Sequence, residues 1–82
     1  GPGGKVGEAI LKDPDIGVVS FTGSSAIGSR IAEVCGKTLK RVSLELGGKN
    51  PQIVMDDADM ELALEGVLWG AFGTTGQRCT AT

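Results

Sequence analysis

The sequence predicts an α/β fold, a piece of a doubly wound, three-layer architecture built on a parallel sheet. Three observations carry that prediction. Helix and strand signals alternate along all 82 residues. The strand at Ile16–Thr22 is a nearly continuous apolar run, the pattern of a strand covered on both faces. The segment joining it to the next strand holds one amphipathic helix, which suits a right-handed parallel crossover.

Taken in order, the elements read αβαββα. Val6, Ala9 and Ile10 fall at helical spacing between Gly4 and Lys12, and Asp13-Pro14 ends that helix because the residue before proline avoids helical backbone. Ile16–Thr22 is rich in β-branched residues and carries Phe21, so it reads as a buried strand. Thr22-Gly23-Ser24-Ser25 supplies a turn and helix-capping hydroxyls. Ile27, Ile31, Val34 and Cys35 then form an apolar helical stripe that Gly36 is expected to close. Arg41–Leu46 alternates cleanly, with Val42, Leu44 and Leu46 on one face and Arg41, Ser43 and Glu45 on the other. Gly47-Gly48 breaks it, and Gln52–Met55 is expected to form a further short strand. Asp56 and Asp59 open the last helix, where negative charge suits the dipole. Its predicted core-facing stripe is Met60, Leu64, Val67, Leu68, Ala71 and Phe72.

Composition bounds the function. Hydrophobic residues make up 40% and charged residues 22%, and the net charge is −2 with no basic cluster, which argues against a nucleic-acid partner. No run approaches the roughly 18 apolar residues of a membrane span. Cys35 and Cys79 stand far apart and there is no histidine, so no metal-ligand pattern forms. Two cysteines in an α/β chain point to a reducing compartment such as the cytoplasm. The chain begins at Gly1 without methionine and has few apolar segments to cover one another, so it is expected to be an internal slice of a longer protein.

The generic glycine motifs fail on inspection. Gly23-Ser24-Ser25-Ala26-Ile27-Gly28 has the spacing of a phosphate-binding loop, but Ser29-Arg30 follows where Lys-Ser/Thr is required. Gly1 and Gly3 would need a third glycine where Val6 stands to make the dinucleotide fingerprint. Gly4-Lys5-Val6-Gly7 mimics an RNA-binding GxxG loop, without other support. What stands is that Ser24 and Ser25 open a helix directly after a strand. Its N-terminus offers free N–H groups to an anion, or the serines simply cap the helix.

Two residues have chemistry in their surroundings. Cys79 follows a helix end among Gly73, Thr74, Thr75 and Gly76, which give access, and adjoins Arg78, whose charge would favour the thiolate. It reads either as a nucleophile or as an ordinary structural thiol; Cys35, on an apolar stripe, reads as core. Glu45 ends a strand at the edge where open α/β sheets bind ligands. It is a candidate general base, or a solvated strand carboxylate paired with Lys49 or Arg41.

Three stretches in this order resemble the aldehyde dehydrogenase superfamily: Phe21-Thr22-Gly23-Ser24, then Leu44-Glu45-Leu46-Gly47-Gly48-Lys49 with Asn50-Pro51, and Gly76-Gln77-Arg78-Cys79. The 34 positions from Glu45 to Cys79 match the family as well, as does Asp57-Ala58-Asp59. The resemblance implies an aldehyde dehydrogenase-like fold in which residues 1–47 close the NAD(P)-binding domain and residues 48–82 begin the catalytic domain. It implies that Gly3, Gly4 and Gly7 lie near the adenosine end of NAD or NADP, with Gly4 standing where many members have proline. Gly23 and Ser24 would meet the pyrophosphate, and Leu46 and Gly47 would border the nicotinamide. Cys79 would attack the aldehyde and Glu45 would activate water on the resulting thioester. Ala26 departs from the family, since that position is often acidic. The presence of Glu45 favours a carboxylic acid product over coenzyme A acylation, the alternative within the superfamily; a second alternative is a non-catalytic structural fragment of such an enzyme. The resemblance further implies a small aldehyde substrate and a homo-oligomer, dimer or tetramer.

Overall fold

The computed structural model describes all residues from Gly1 to Thr82 and divides into two compact units, Gly1–Leu46 and Gly47–Thr82. The first contains α1 (Gly3–Lys12), β1 (Val18–Gly23), α2 (Ser25–Lys37) and β2 (Arg41–Leu46). The two strands pair in parallel, in a register running from Val18 opposite Arg41 to Gly23 opposite Leu46. Helix α2 is therefore the crossover that the apolar spacing predicted.

The core of this unit is small. Leu11 from α1 meets Ile31, Val34 and Cys35 from α2, and Val19, Phe21 and Leu44 of the sheet pack against them. Cys35 is fully enclosed, so the stripe that marked it as core did so correctly. Helix α1 ends where Asp13-Pro14 requires: Asp13 is extended, and its carboxylate accepts the Asp15 N–H at 2.9 Å. Strand β1 starts later than its apolar run, because Ile16 N–H turns back to Asp13 C=O and the ladder begins only where Arg41 N–H meets Gly17 C=O.

The end of α2 departs from expectation. Gly36 does not close the helix; it lies inside, and the chain reverses at Thr38-Leu39. Lys40 N–H reaches Cys35 C=O at 3.0 Å and Leu39 N–H reaches Gly36 C=O at 3.3 Å, the paired bonds of a Schellman cap. The left-handed residue of that cap is Leu39, at φ 55°, and not a glycine. A side chain there costs about 1–2 kcal/mol, and the leucine recovers little by packing because 90% of it is exposed. Leu39→Gly is expected to stabilise the protein by on the order of 0.5–1 kcal/mol, the strain relief exceeding glycine's extra unfolded-state entropy. Leu39→Ile should do the opposite, and denaturant midpoints of the three proteins check the order.

Salt bridges tie α1 to α2. Glu8 binds Lys12 at 3.1 Å and Arg30 at 3.2 Å, and Glu33 binds Arg30 at 3.2 Å and Lys37 at 2.9 Å. The hydrogen bond from Arg30 holds the Glu8 carboxyl below its ordinary range, as Lys37 does for Glu33. A carboxylate with a depressed native pKa contributes stability above its unfolded value and loses it as pH falls through the native one. The thermal midpoint of the wild type should therefore approach that of Glu8→Gln as pH drops below the ordinary glutamate value of about 4.3. Screening by solvent and salt keeps the difference small.

The second unit consists of α3 (Met60–Phe72), a tight turn (Gly73–Gly76) and the segments on either side. Asp59 caps α3, its carboxylate accepting the N–H groups of Glu61 and Leu62 at 3.0 and 3.1 Å. Gln52–Met55 forms no strand, so the observed order is αβαβα. A β-strand needs a neighbouring strand to satisfy its backbone, and this unit contains none. The stripe expected to face the core of α3 is also displaced. Met60, Leu64, Leu68 and Phe72 are exposed, while Ala63, Gly66, Val67, Gly70 and Ala71 are the partly covered side. Because this helix is apolar on nearly every face, spacing could not single out the side that packs within the unit.

Candidate active site

In the first unit, the parallel strands bring their C-terminal ends together: Gly23 and Leu46 are paired neighbours. Ser24 follows at the N-cap of α2, its hydroxyl accepting the Ile27 N–H at 3.4 Å. The hydroxyl thus acts as a cap, while the N–H groups of Ser25 and Ala26 stay free for an anion, as in any first helical turn. Gly28, one turn on, is buried against Leu46: a Cβ at Gly28 would lie 2.5–2.6 Å from the two Leu46 methyl carbons. The missing side chain lets Leu46 seat directly on α2.

Gly3, Gly4 and Gly7 come together on one face of α1, where they line a mainly apolar cleft of about 490 Å³ with Ile10, Phe21 and Ile27. Nothing lies within 4 Å of where their β-carbons would be, so the three glycines leave an open wall. Gly23, Ser24 and Leu46 form a separate group at the strand ends, outside that cleft. The proposed adenosine and pyrophosphate residues thus occupy two neighbouring regions of one unit.

Glu45 sits opposite Thr22 on the ladder and is exposed. It pairs with neither Lys49 nor Arg41; the ion pairs of the chain all lie among Glu8, Lys12, Arg30, Glu33 and Lys37. Its carboxylate is free for other work. Gly47, which opens the second unit, is exposed with clear space at its missing β-carbon.

Cys79, in the second unit, is a free and exposed thiol. The turn before it is sharp: Thr74, Thr75 and Gly76 are successively left-handed at φ 53°, 56° and 67°. Gly76 is required there, since a Cβ would also come within 2.8 Å of Ala71 C=O. Arg78 has partners that the sequence did not point to. Its guanidinium lies 4.8 Å from the Trp69 ring centroid and donates to Trp69 C=O at 3.3 Å. The cation is held by α3, through an aromatic face and a last-turn carbonyl.

Sequence reasoning missed the supports of this loop. The Asn50 carboxamide donates to Cys79 C=O at 2.6 Å and to Ala81 C=O at 3.0 Å, and Thr82 N–H donates to Gly70 C=O at 2.9 Å. Glycines along α3 make room for these segments: a Cβ would meet Gln52 at Gly66, Thr82 at Gly70, and Arg78 with Trp69 at Gly73. The spacing of Gly66, Gly70 and Gly73 along one helical face was the only local signal.

The model of the aldehyde dehydrogenase family matches residues 1–82. The chain is 48% identical over 82 residues to alpha-ketoglutaric semialdehyde dehydrogenase of Bacillus subtilis (strain 168), covering 100% of this chain and 17% of that one. Among solved structures, an NAD-dependent aldehyde dehydrogenase from Sinorhizobium meliloti superposes with a TM-score of 0.93 at 43% identity. The NAD+ complex of a Bacillus cereus aldehyde dehydrogenase superposes with a TM-score of 0.91, also at 43% identity. Each superposition covers 99% of this chain and 16% of the other, so the chain spans about a sixth of the relatives it matches. The match over its whole length, in sequence and in backbone, shows that the chain belongs to the aldehyde dehydrogenase family.

Proposed function

We propose that the intact protein oxidises an aldehyde to a carboxylic acid, with Cys79 as the nucleophile and Glu45 as the base. The observation that carries this reading is the state of those two side chains: an exposed free thiol on a braced loop, and an unpaired carboxylate at the binding edge of a parallel sheet. The Cys79 thiolate adds to the aldehyde carbon, and the carbonyl oxygen takes up the negative charge. The Cys79 backbone N–H lies on the same residue and can donate to that oxygen. Loss of hydride from the former aldehyde carbon leaves a thioester on Cys79. Glu45 then takes a proton from water as the water oxygen attacks the thioester carbon, and the C–S bond breaks to release the acid and regenerate the thiolate.

NAD, when bound, supplies the hydride acceptor. The cleft beside Gly3, Gly4 and Gly7 fits an adenosine end, since it is apolar and unobstructed by side chains on the α1 wall. The free N–H groups behind Ser24 suit the pyrophosphate, and Leu46 and Gly47 would border the nicotinamide. Residues 1–47 accordingly belong to the cofactor-binding domain and residues 48–82 to the catalytic domain. NAD is preferred to NADP because two superposed relatives are named with NAD. A free, exposed thiol nucleophile is best preserved in a reducing compartment.

The test is to mix the intact protein with aldehydes and NAD or NADP in 18O-labelled water. The expected result is reduced NAD and an acid bearing the label. Absence of reduced cofactor across a broad aldehyde panel would overturn the reading. Product formed only when coenzyme A is supplied would favour the acylating alternative.

A further inference from the structure

We propose that Asn50 is a positioning residue for the nucleophile, holding the Cys79 loop in its reactive geometry through both N–H groups of its carboxamide. The inference rests on the reading of Cys79 given above and adds a role for a residue outside the chemistry.

The two donors of one short side chain go to two different carbonyls of the same loop, Cys79 C=O at 2.6 Å and Ala81 C=O at 3.0 Å. The first bond orients the peptide plane directly after Cys79. The Asn50 backbone N–H adds a third bond, to Ala81 C=O at 3.4 Å. On the other side of Cys79, Arg78 is anchored to Trp69 by its ring contact and its hydrogen bond. The cysteine therefore sits between two anchors, which restrict rotation on both sides of its Cα and so limit where the thiol points.

Asn50 is itself well placed to serve. Pro51 follows it and restricts it to extended backbone. The loop it grips is also seated on α3, by Thr82 N–H on Gly70 C=O at 2.9 Å, so the brace closes against a rigid element. Only a carboxamide offers two N–H groups on an arm of this length. Aspartate would set an acceptor against two acceptors, serine would keep one donor, and alanine would keep none.

The experiment uses the intact protein and its Asn50→Ser, Asn50→Ala and Asn50→Asp variants, with two readouts. The rate of hydride transfer in the first turnover should fall in the order wild type, serine, alanine, aspartate. The alanine loss should be on the order of 10–10²-fold, because small displacements of a reacting atom have effects of that size. The KM for NAD should stay within about two-fold, since Asn50 lies outside the residues assigned to the cofactor. Second, alkylation of Cys79 by iodoacetamide across pH, which needs no turnover, should change in rate in the same order. If Asn50→Ala keeps both rates within two-fold, the proposal is wrong. If both rates fall but Asn50→Ser is no better than Asn50→Ala, the donor is not the cause and the proposal also fails. Should the wild type show no aldehyde oxidation, the alkylation series still decides the role of Asn50 separately from the proposed function. Should the alanine and aspartate variants not fold, the serine variant against wild type decides it by the same two rates.

Discussion

Replacing Cys79 with serine in the intact protein is expected to lower aldehyde-dependent reduction of NAD by on the order of 10³-fold or more. The two side chains are close in size, and the residue is exposed, so the fold has little reason to change. The chemistry changes entirely. Sulfur is a far better nucleophile than oxygen, and a thiol gives up its proton far more readily than an alcohol does. No hydrogen bond in the chain links the Cys79 side chain to a base that could activate a hydroxyl in its place; the Cys79 group that is bonded is its carbonyl, to Asn50. Reduced NAD formed in a single turnover, with excess enzyme, is the measurement that checks it. A serine variant retaining activity within about ten-fold would reassign the nucleophile.

The second large effect is at Glu45. Glu45→Gln should leave the first hydride transfer near its normal rate and lower steady-state turnover by about 10²–10⁴-fold, the usual worth of a general base. The substitution is nearly isosteric, the side chain is exposed, and its ladder contact with Thr22 is made by backbone. Folding should therefore be unaffected. The stalled species is a thioester on Cys79, detectable as an acyl mass increment on the peptide containing Gln77-Arg78-Cys79. Hydroxylamine, which attacks a thioester without a base, should restore turnover and give the hydroxamate. An undiminished steady state would remove Glu45 from the mechanism, and a lost first turnover would move it to an earlier step.

The setting of Glu45 on its strand was legible in the sequence. The alternation over Arg41–Leu46 put Glu45 on the face opposite Leu44 and Leu46, and the structure shows those leucines partly covered and Glu45 exposed. Of the two cysteines the sequence decided one: Cys35 on an apolar stripe is enclosed, while Cys79, which read either as a nucleophile or as a structural thiol, is exposed. The misreadings share a cause. Gln52–Met55 has the residues of a strand but no partner within its unit, and Gly36 has the identity of a cap but lies within α2, three positions before the left-handed Leu39. Composition states what a residue can do, and its neighbours decide whether it does.

Taken alone, the sequence determines the features whose cause is local. These are the three helices and the two strands that pair, the caps at Ser24 and Asp59, the stop at Asp13-Pro14 and the chemistry available at Glu45 and Cys79. Each follows from backbone preferences and spacings acting over a few residues. Tertiary structure alone decided that Arg78 is anchored to Trp69 of α3, that the glycine face of α3 receives the cysteine loop, and that Asn50 grips Cys79 across 29 positions of chain. A hydrogen bond depends on where two groups stand in space, and no periodicity in the intervening residues encodes that distance.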